Sequence, residues 1–186
     1  NRVAAEKYPD VKFTAFGGLC LNHPVGGLNP DAVETSLKLG AKVIWLPTNT
    51  AENHYRKNGK DPSKGVVVTR DGKAVNELQE SFALVKQYNA VLATGHIGAE
   101  ECFPVVEAAR AAGVEKIVVT HPEFWVVGMT QEQQAEIVRK YDVLLESVYA
   151  QPVNGGYKIN IPDNIAAMKA IGPEHFVIST DSGQTV

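Results

Sequence analysis

The sequence has few cysteines, no long apolar run and no excess of charge of one sign. Its two cysteines, Cys20 and Cys102, lie far apart and form no CxxC pair, so neither a disulfide scaffold nor a cysteine zinc site is indicated. No apolar stretch approaches the roughly 20 residues of a membrane-spanning helix. The formal net charge of -3, with acidic and basic residues interspersed, argues against a nucleic-acid or membrane partner.

What remains is an ordinary globular composition, with 44% hydrophobic and 21% charged residues in 186. That length is ample for one domain with a sizeable core and short for two. We therefore expect a single domain over residues 1–186. No signal peptide is visible, and the scarce cysteines favour a reducing compartment, so we expect a cytoplasmic protein. The chain begins with Asn1 rather than Met, which indicates a processed product or a fragment.

Short apolar runs alternate with helical patterns along the chain, and this alternation predicts a parallel α/β sheet. The runs are apolar on both faces, as buried parallel strands are. They are Phe13 to Leu21, Lys42 to Leu46, Ala90 to Ala93, Lys116 to Val119, Val143 to Leu145 and Phe176 to Ser179.

Capping residues predict where two of the intervening helices begin and end. Asn29 followed by Pro30 opens the first helix, and Gly40 ends it. Thr130 and Gln133 have the spacing of a capping box at the start of a later helix.

One interruption of the alternation predicts a β-hairpin. Asp71-Gly72 lies between two short β-branched segments, as in a hairpin with a type I′ turn. The hairpin would be an insertion around residues 65–75, after the second strand.

The spacing of the runs favours a barrel over an open sheet. Apart from the hairpin-bearing unit, the runs recur at roughly 26 to 33 residues, close to one unit of an eight-unit barrel. No GxGxxG follows any run, so the dinucleotide-binding open sheet is not indicated. We predict a (β/α)8 TIM-like barrel. Because only six runs are present, we expect it to be incomplete, without its first two units and a closing helix.

Polar side chains follow or end every one of these apolar runs. In parallel α/β folds, active sites gather at the carboxyl ends of the strands, so equivalent polar positions predict a site. The series comprises Asn22, His23, Thr48, Asn49, His96, His121, Glu146 and Asp181, with His54 a few residues beyond the second run.

Imidazole and carboxylate are ligands of divalent metals such as zinc. Each of His96 and His121 follows an apolar run, and together they favour ligation, although either alone would read as a core histidine. Asp181 is a candidate catalytic base that takes the proton of an attacking water. The candidates for substrate contact are Asn22, His23, Asn49, His54 and Glu146.

Several of these candidates have a simpler interpretation. His23 could hold only the shape of its own loop, and His54 lies in a polar stretch typical of a solvated surface. Glu146 is equally explained as an ion-pair partner. His175 precedes a strand, at the wrong end of the sheet for catalysis, and we interpret it as structural.

At these residues the sequence resembles a known family. The segments Gly17 to Thr48, Leu92 to Glu101, Val118 to Glu123 and Ile178 to Gln184 are similar to the DUF6282 family, which falls within the metal-dependent amidohydrolase superfamily. The resemblance implies a TIM-like barrel with one or two metal ions. The superfamily places a His after strand five, a His after strand six and an Asp after strand eight.

By position these residues are His96, His121 and Asp181, and the resemblance thereby adds Asp181 to the metal ligands. The visible runs would be strands three to eight. The superfamily's opening strand carries a His-x-His pair, and this sequence has none. Where binuclear members often have a Lys or Glu after strand four, this chain has Thr48 and Asn49.

These observations predict a metal-dependent hydrolase acting on an amide, ester, lactone or phosphoester bond of a small molecule. We expect one or two divalent ions, zinc first, with manganese, iron or nickel as alternatives. Two other hypotheses stay open: a metal-dependent lyase or decarboxylase on the same barrel, and a catalytically inert barrel used for binding. No nucleic-acid or membrane partner is expected, and homo-oligomer formation is left open.

Overall fold

The computed structural model describes residues 6–7, 9–10, 14–148 and 161–181, with the backbone alone at 161–163. A parallel sheet forms its centre. The strands are β1 (Gly18–Cys20), β2 (Val43–Trp45), β3 (Thr69–Arg70), β4 (Lys73–Ala74), β5 (Val91–Ala93), β6 (Lys116–Val119), β7 (Leu144–Val148) and β8 (Phe176–Ser179).

Each of the six predicted apolar runs contains or overlaps one of the six sheet strands. The first strand is shorter than its run: β1 begins at Gly18, Phe16 is exposed, and Phe13 lies outside the described residues. The fifth is longer, because β7 continues through Glu146 to Val148. Glu146 therefore lies within a strand rather than after it.

The six strands pair in the order β1-β2-β5-β6-β7-β8, all in parallel. Main-sheet neighbours are thus successive along the chain, as in a barrel wall, rather than reversed about a central strand. Among the described residues β1 and β8 do not pair with each other, so the sheet is open. The prediction of an α/β fold with a parallel sheet is confirmed, while the predicted incomplete TIM-like barrel is not confirmed, since the six described strands form an open sheet.

Helices connect the strands. They are α1 (Pro30–Lys38), α2 (Glu52–Lys57), α3 (Gln79–Gln87), α4 (Ala99–Ala111), α5 (Gln131–Tyr141) and α6 (Ile161–Ile171). The predicted caps are present: the Asn29 side chain accepts from the backbone N–H groups of Asp31 and Ala32, and Thr130 and Gln133 form a reciprocal capping box. Among the helices in the described part of the chain, none has the length and hydropathy needed to cross a membrane.

The predicted hairpin is also present, as β3 and β4. Asp71 and Gly72 both have positive φ angles, of 50° and 71°, as a type I′ turn requires. The two strands form a separate antiparallel sheet that packs on α4.

The core lies between the sheet and the helices. Leu92 and Ile44 on the central strands are buried, and Phe82 and Val85 on α3 pack in the same cluster. The edge strand β8 differs, because Val177 and Ile178 are exposed by 39% and 76%. Parallel strands are buried on both faces where helices cover them, and among the described residues β8 is the edge strand of the sheet.

Candidate active site

A cavity of about 740 Å³ opens at the carboxyl ends of the parallel strands. This volume is within the range of small-molecule sites. Its lining is polar and aromatic, and comprises Cys20, Trp45, Thr48, Asn49, His54, His96, Thr120, His121, Phe124, Trp125, Glu146 and Asp181. The structure therefore brings together six of the predicted site residues: Asn49, His54, His96, His121, Glu146 and Asp181.

Three imidazoles lie side by side on one side of the cavity, and we call His54, His96 and His121 the histidine wall. Nδ1 of His54 is 2.8 Å from Nδ1 of His96, and the two rings stack with centroids 4.9 Å apart. The His96 and His121 ring centroids are 5.1 Å apart. The rings of Phe124 and Trp125 continue the cluster, at 4.5 Å from His121 and 6.4 Å from His54 respectively.

The position of His96 is determined by the backbone before it. Gly95 has a φ of +65°, and a Cβ there would lie 2.5 Å from the carbonyl oxygen of Leu46 and 2.6 Å from that of Pro47. Only glycine allows this close approach of two strand ends. The His96 N–H then donates to the Pro47 carbonyl at 2.9 Å, which holds the residue over the end of β2.

His121 follows β6 in a backbone conformation that is rare for a residue with a side chain. Its φ is +26°, and Asp181 after β8 has a φ of +48°. Such conformations persist where the surrounding structure enforces them, and they cluster at functional sites. His121 is 2% exposed, and its buried Nδ1 has no hydrogen-bond partner in the described structure.

Burial keeps the histidine wall uncharged. It lowers the pKa of His96 to about 3, with further lowering by the neighbouring His121 and His54. Burial lowers the pKa of His121 to about 4 and also lowers the pKa of His54. At neutral pH each ring is therefore a neutral imidazole with one nitrogen lone pair, the form in which histidine binds metals.

Glu146 and Asp181 are the carboxylates of the lining, and we call them the carboxylate wall. The Ser179 hydroxyl donates to Oε1 of Glu146 at 2.7 Å. Burial raises the pKa of Glu146, and the nearby Asp181 carboxylate raises it further. Burial also raises the pKa of Glu123 to about 7, and one carboxyl oxygen of Glu123 is buried without a partner among the described residues.

Two predicted substrate-binding residues do not line the cavity. Oδ1 of Asn22 accepts the N–H groups of Thr48 and Thr50 and the Thr50 hydroxyl, and its amide donates to the Thr48 hydroxyl. His23 Nε2 is 2.7 Å from the Lys64 carbonyl oxygen. Both side chains thus connect the loop after β1 to other segments, Asn22 to Thr48 and Thr50 and His23 to Lys64, rather than holding only the shape of their own loop.

Several lining residues were not candidates from the sequence. Cys20, Trp45 and Thr120 lie on or next to strands, and nothing in their local pattern distinguishes them from core residues. Glu123 had a signal, because it follows His121-Pro122 at the end of β6. Phe124 and Trp125 follow His121-Pro122 in the same segment and also line the cavity.

The donor chemistry of the cavity suits a divalent ion, but its geometry does so only in part. Neutral imidazoles, the unpartnered Nδ1 of His121 and two nearby carboxylates are the donors that zinc selects. Within the described residues, however, no three His, Cys, Asp or Glu side chains converge closely enough to form a metal site.

Fold and site together define an α/β protein with a parallel sheet and a histidine- and carboxylate-lined cavity at the strand ends. The chain belongs to the family described as "Family of unknown function (DUF6282)", whose model matches residues 2–146. No curated protein matches the sequence.

The fold is similar to that of an amidohydrolase from Pseudomonas aeruginosa, whose crystal structure is known. The TM-score is 0.55 at 14% sequence identity, and the match covers 85% of this chain and 47% of the other. This chain thus spans about half of the amidohydrolase it resembles, and at this identity the likeness establishes a shared fold.

Proposed function

We propose that the cavity is the active site of a metal-dependent hydrolase that acts on a small molecule at an amide, ester, lactone or phosphoester bond. The observation that carries the proposal is the meeting of His96 and His121 with Glu146 and Asp181 in one cavity. The histidines are uncharged at neutral pH, so a cation would not have to displace protons from them. The similarity of fold to an amidohydrolase supports the same hypothesis of a hydrolase.

In this proposal His96 and His121 hold the ion, with Asp181 as the third ligand or as the base. A divalent ion there would supply Lewis-acid polarisation of the substrate and acidify water. Asp181 accepts the proton of the attacking water, and Asn49 and Glu146 bind the polar part of the substrate. Asn22 and His23 are left out, since they do not line the cavity and their side chains are hydrogen-bonded to Thr48, Thr50 and Lys64. The incomplete convergence of ligands makes metal binding the first point to test.

The test is metal content together with hydrolysis. The chain is produced in zinc- and manganese-supplemented medium, and its metal is measured next to turnover of an ester, a lactone, an amide and a phosphoester. We expect bound metal in the wild type and loss of both metal and turnover in His96→Ala. His175→Ala is the matched control, because His175 lies before β8 and away from the cavity lining. Absence of metal from the wild type, with His96→Ala indistinguishable from it, would refute the proposal.

The same preparation separates hydrolysis from a lyase or decarboxylase reaction. In 18O-labelled water, hydrolysis places solvent oxygen in the product, and carbon–carbon cleavage does not. A chain that binds metal and ligand without converting any substrate would favour the inert binding hypothesis.

A further inference from the structure

Helix α2 is fixed by the segment that follows it. The backbone N–H of Glu52 donates to the Val66 carbonyl at 3.0 Å, and the Val66 N–H donates to the Thr50 carbonyl at 2.7 Å. A Cβ at Gly65 would lie 2.4 Å from the Cα of Glu52, so a side chain is excluded there. The first turn of α2 therefore has a defined position over the sheet, although the helix has only six residues.

Asn53 in that first turn ties together three connections of the sheet. Its side chain is 4% exposed, and its Nδ2 donates to the carbonyl of His96 at 3.0 Å and to that of Val126 at 2.7 Å. One amide thus joins the segments after β2, β5 and β6. Both N–H groups of the amide therefore donate to backbone carbonyls, so each of these carbonyls has a hydrogen-bond partner.

His54, the next residue, contacts His96 at its ring. The 2.8 Å separation of the two Nδ1 atoms is a hydrogen bond, so one neutral ring donates and the other accepts. His96 is consequently held at three points: its N–H by Pro47, its carbonyl by Asn53 and its Nδ1 by His54. In the described residues no hydrogen bond reaches its Nε2, and the residue lines the cavity.

The burial of the two rings indicates which one donates. If His54 donated, the proton of His96 would lie on Nε2, where no group of the described residues accepts it and only water in the cavity could. If His96 donates from Nδ1, its Nε2 carries only a lone pair, and the proton of His54 lies on the more exposed ring, where water can accept it. His96 is the more deeply buried of the two rings, so an N–H on its Nε2 has less access to water than one on His54, and a poorly hydrated N–H is the costlier arrangement. The second arrangement is therefore favoured.

We propose that Asn53 and His54 are positioning residues that orient His96 and hold it in the Nδ1–H tautomer, so that its Nε2 presents a lone pair to the cavity. The use of that lone pair as a metal ligand rests on the proposed function, but the tautomer and orientation do not. The two ring nitrogens of histidine are distinct, and the hydrogen bond made by one decides which of them carries the proton, so His54 would set the tautomer of His96. Partners of this kind orient metal-binding histidines in general.

The tautomer is tested directly by long-range 1H–15N NMR of metal-free, 15N-histidine-labelled protein at pH 7.5. We expect His96 as the Nδ1–H form in the wild type. In His54→Phe, which keeps a ring but has no nitrogen, we expect the Nε2–H form. In His54→Asn, whose side-chain amide lies near the position of the imidazole Nδ1, we expect the Nδ1–H form to return. His175→Ala is the control and should leave the His96 signals unchanged.

The role of Asn53 is tested with Asn53→Asp and Asn53→Ala, after circular dichroism has confirmed that each folds. Neither side chain can donate to the His96 carbonyl, so the His96 ring signals should shift by more than in His175→Ala or split into several conformers. Should both variants unfold, the His54 series still decides the tautomer. His96 in the Nε2–H form in wild type, or an unchanged tautomer in His54→Phe, would overturn the proposal.

A second readout is zinc affinity, measured by competition with a chromogenic chelator. Loss of a residue that orients a ligating histidine costs about 10- to 100-fold in metal affinity. We expect a loss of this size in His54→Phe, recovery in His54→Asn, and wild-type affinity in His175→Ala. If the wild type binds neither zinc nor manganese, the proposed function fails while the NMR result still decides the positioning. If zinc binds and His54→Phe retains full affinity, the positioning role is overturned and the proposed function stands.

Discussion

The two walls of the cavity are built in different ways. The histidine wall stands over β2, β5 and β6, which have strand neighbours on both sides. His54 and His96 are hydrogen-bonded to each other, and Asn53 ties the segments that follow these three strands together. The carboxylate wall comes from β7 and from the end of β8, the edge strand. The histidine wall thus stands on interior strands, whereas the carboxylate wall includes one residue, Asp181, that follows the edge strand β8 with its exposed apolar side chains.

The two walls have different structural requirements. Neutral donors need a fixed orientation, because the direction of a lone pair decides whether it can bind. Carboxylates act over a longer range through their charge and tolerate a less constrained support. We therefore expect changes to the histidine wall to cost more stability than changes to the carboxylate wall.

The largest effect is expected from Gly95→Ala, which attacks the support of the histidine wall. The new Cβ would meet the Leu46 and Pro47 carbonyls at 2.5 and 2.6 Å in a backbone with positive φ. Backbone strain and overpacking together should lower the free energy of unfolding by roughly 3 to 5 kcal/mol. Urea denaturation measures this loss of free energy of unfolding. Gly72→Ala is the control, since Gly72 has a similar φ but nothing within 4 Å, and it should lose only about 1 to 2 kcal/mol. Equal losses in the two variants would contradict the steric argument.

The next effect is the pH dependence of stability in chelator-treated protein. Folded His96 and His121 stay neutral to about pH 3 and 4, whereas unfolded histidines bind protons near pH 6.5. Below pH 6.5 the unfolded chain therefore binds more protons, and the free energy of unfolding falls by up to about 1.4 kcal/mol per pH unit for each histidine.

Glu123 acts in the opposite direction over part of this range. Its raised pKa of about 7 means that the folded protein binds a proton between about pH 7 and 4.5, so this group adds stability as the pH falls through that window. We expect a moderate decline from pH 6.5 to 4.5 and a steeper one from 4.5 to 4. In Glu123→Gln the free energy of unfolding should decline more steeply between pH 6.5 and 4.5. Urea titrations at half-unit pH steps measure both curves, and a wild-type stability that rises steadily from pH 6.5 to 4 would exclude neutral buried histidines.

A smaller effect is expected from Glu146→Gln in the carboxylate wall. The amide oxygen can still accept the Ser179 hydroxyl, so the free energy of unfolding should change by less than about 1 kcal/mol. Because the Glu146 charge raises the pKa of Glu123, its removal should lower that pKa. 13C NMR titration of the glutamate carboxyls detects the shift, and the exposed Glu174→Gln serves as control. An unchanged Glu123 titration would mean that the charge of Glu146 does not act on the Glu123 carboxyl.

The smallest effect is expected at the sheet edge. Ile178→Thr on β8 removes an apolar group that is already 76% exposed and should change the free energy of unfolding by no more than about 0.5 kcal/mol. Leu92→Ala on β5 provides the contrast, since a 1% exposed leucine in the central sheet should cost about 2 to 5 kcal/mol. A cost at Ile178 comparable to that at Leu92 would mean that β8 is covered in solution.

The sequence was most informative where the signal is local. The Asn29 cap, the Thr130–Gln133 capping box and the Asp71-Gly72 turn each depend on residues within a few positions of one another, and all three are present. The six strands could be predicted because buried parallel strands are continuous apolar runs. Whether the sheet closes into a barrel could not be predicted in the same way. Closure depends on pairing between the two edge strands, and a run of apolar residues does not indicate which strand it pairs with.

His54 and Asn22 illustrate what local patterns miss in the site. His54 lies in a polar stretch that resembles solvated surface, and it reaches the cavity only because Gly65 and Asn53 fix α2 against distant segments. Asn22 follows a strand as a site residue would, yet its polar atoms are used by Thr48 and Thr50. His96 and His121 were predictable because the strand before each of them fixes where the next residues must lie.

The strand order described above also bears on how the chain acquires its structure. Because every strand of the parallel sheet pairs with the main-sheet strand that precedes it in the chain, each βα unit can dock onto a finished edge as it leaves the ribosome. No strand has to be inserted between two that are already paired. His54, His96 and His121 would then be assembled in order of synthesis, before the segments that carry Glu146 and Asp181 have joined the sheet.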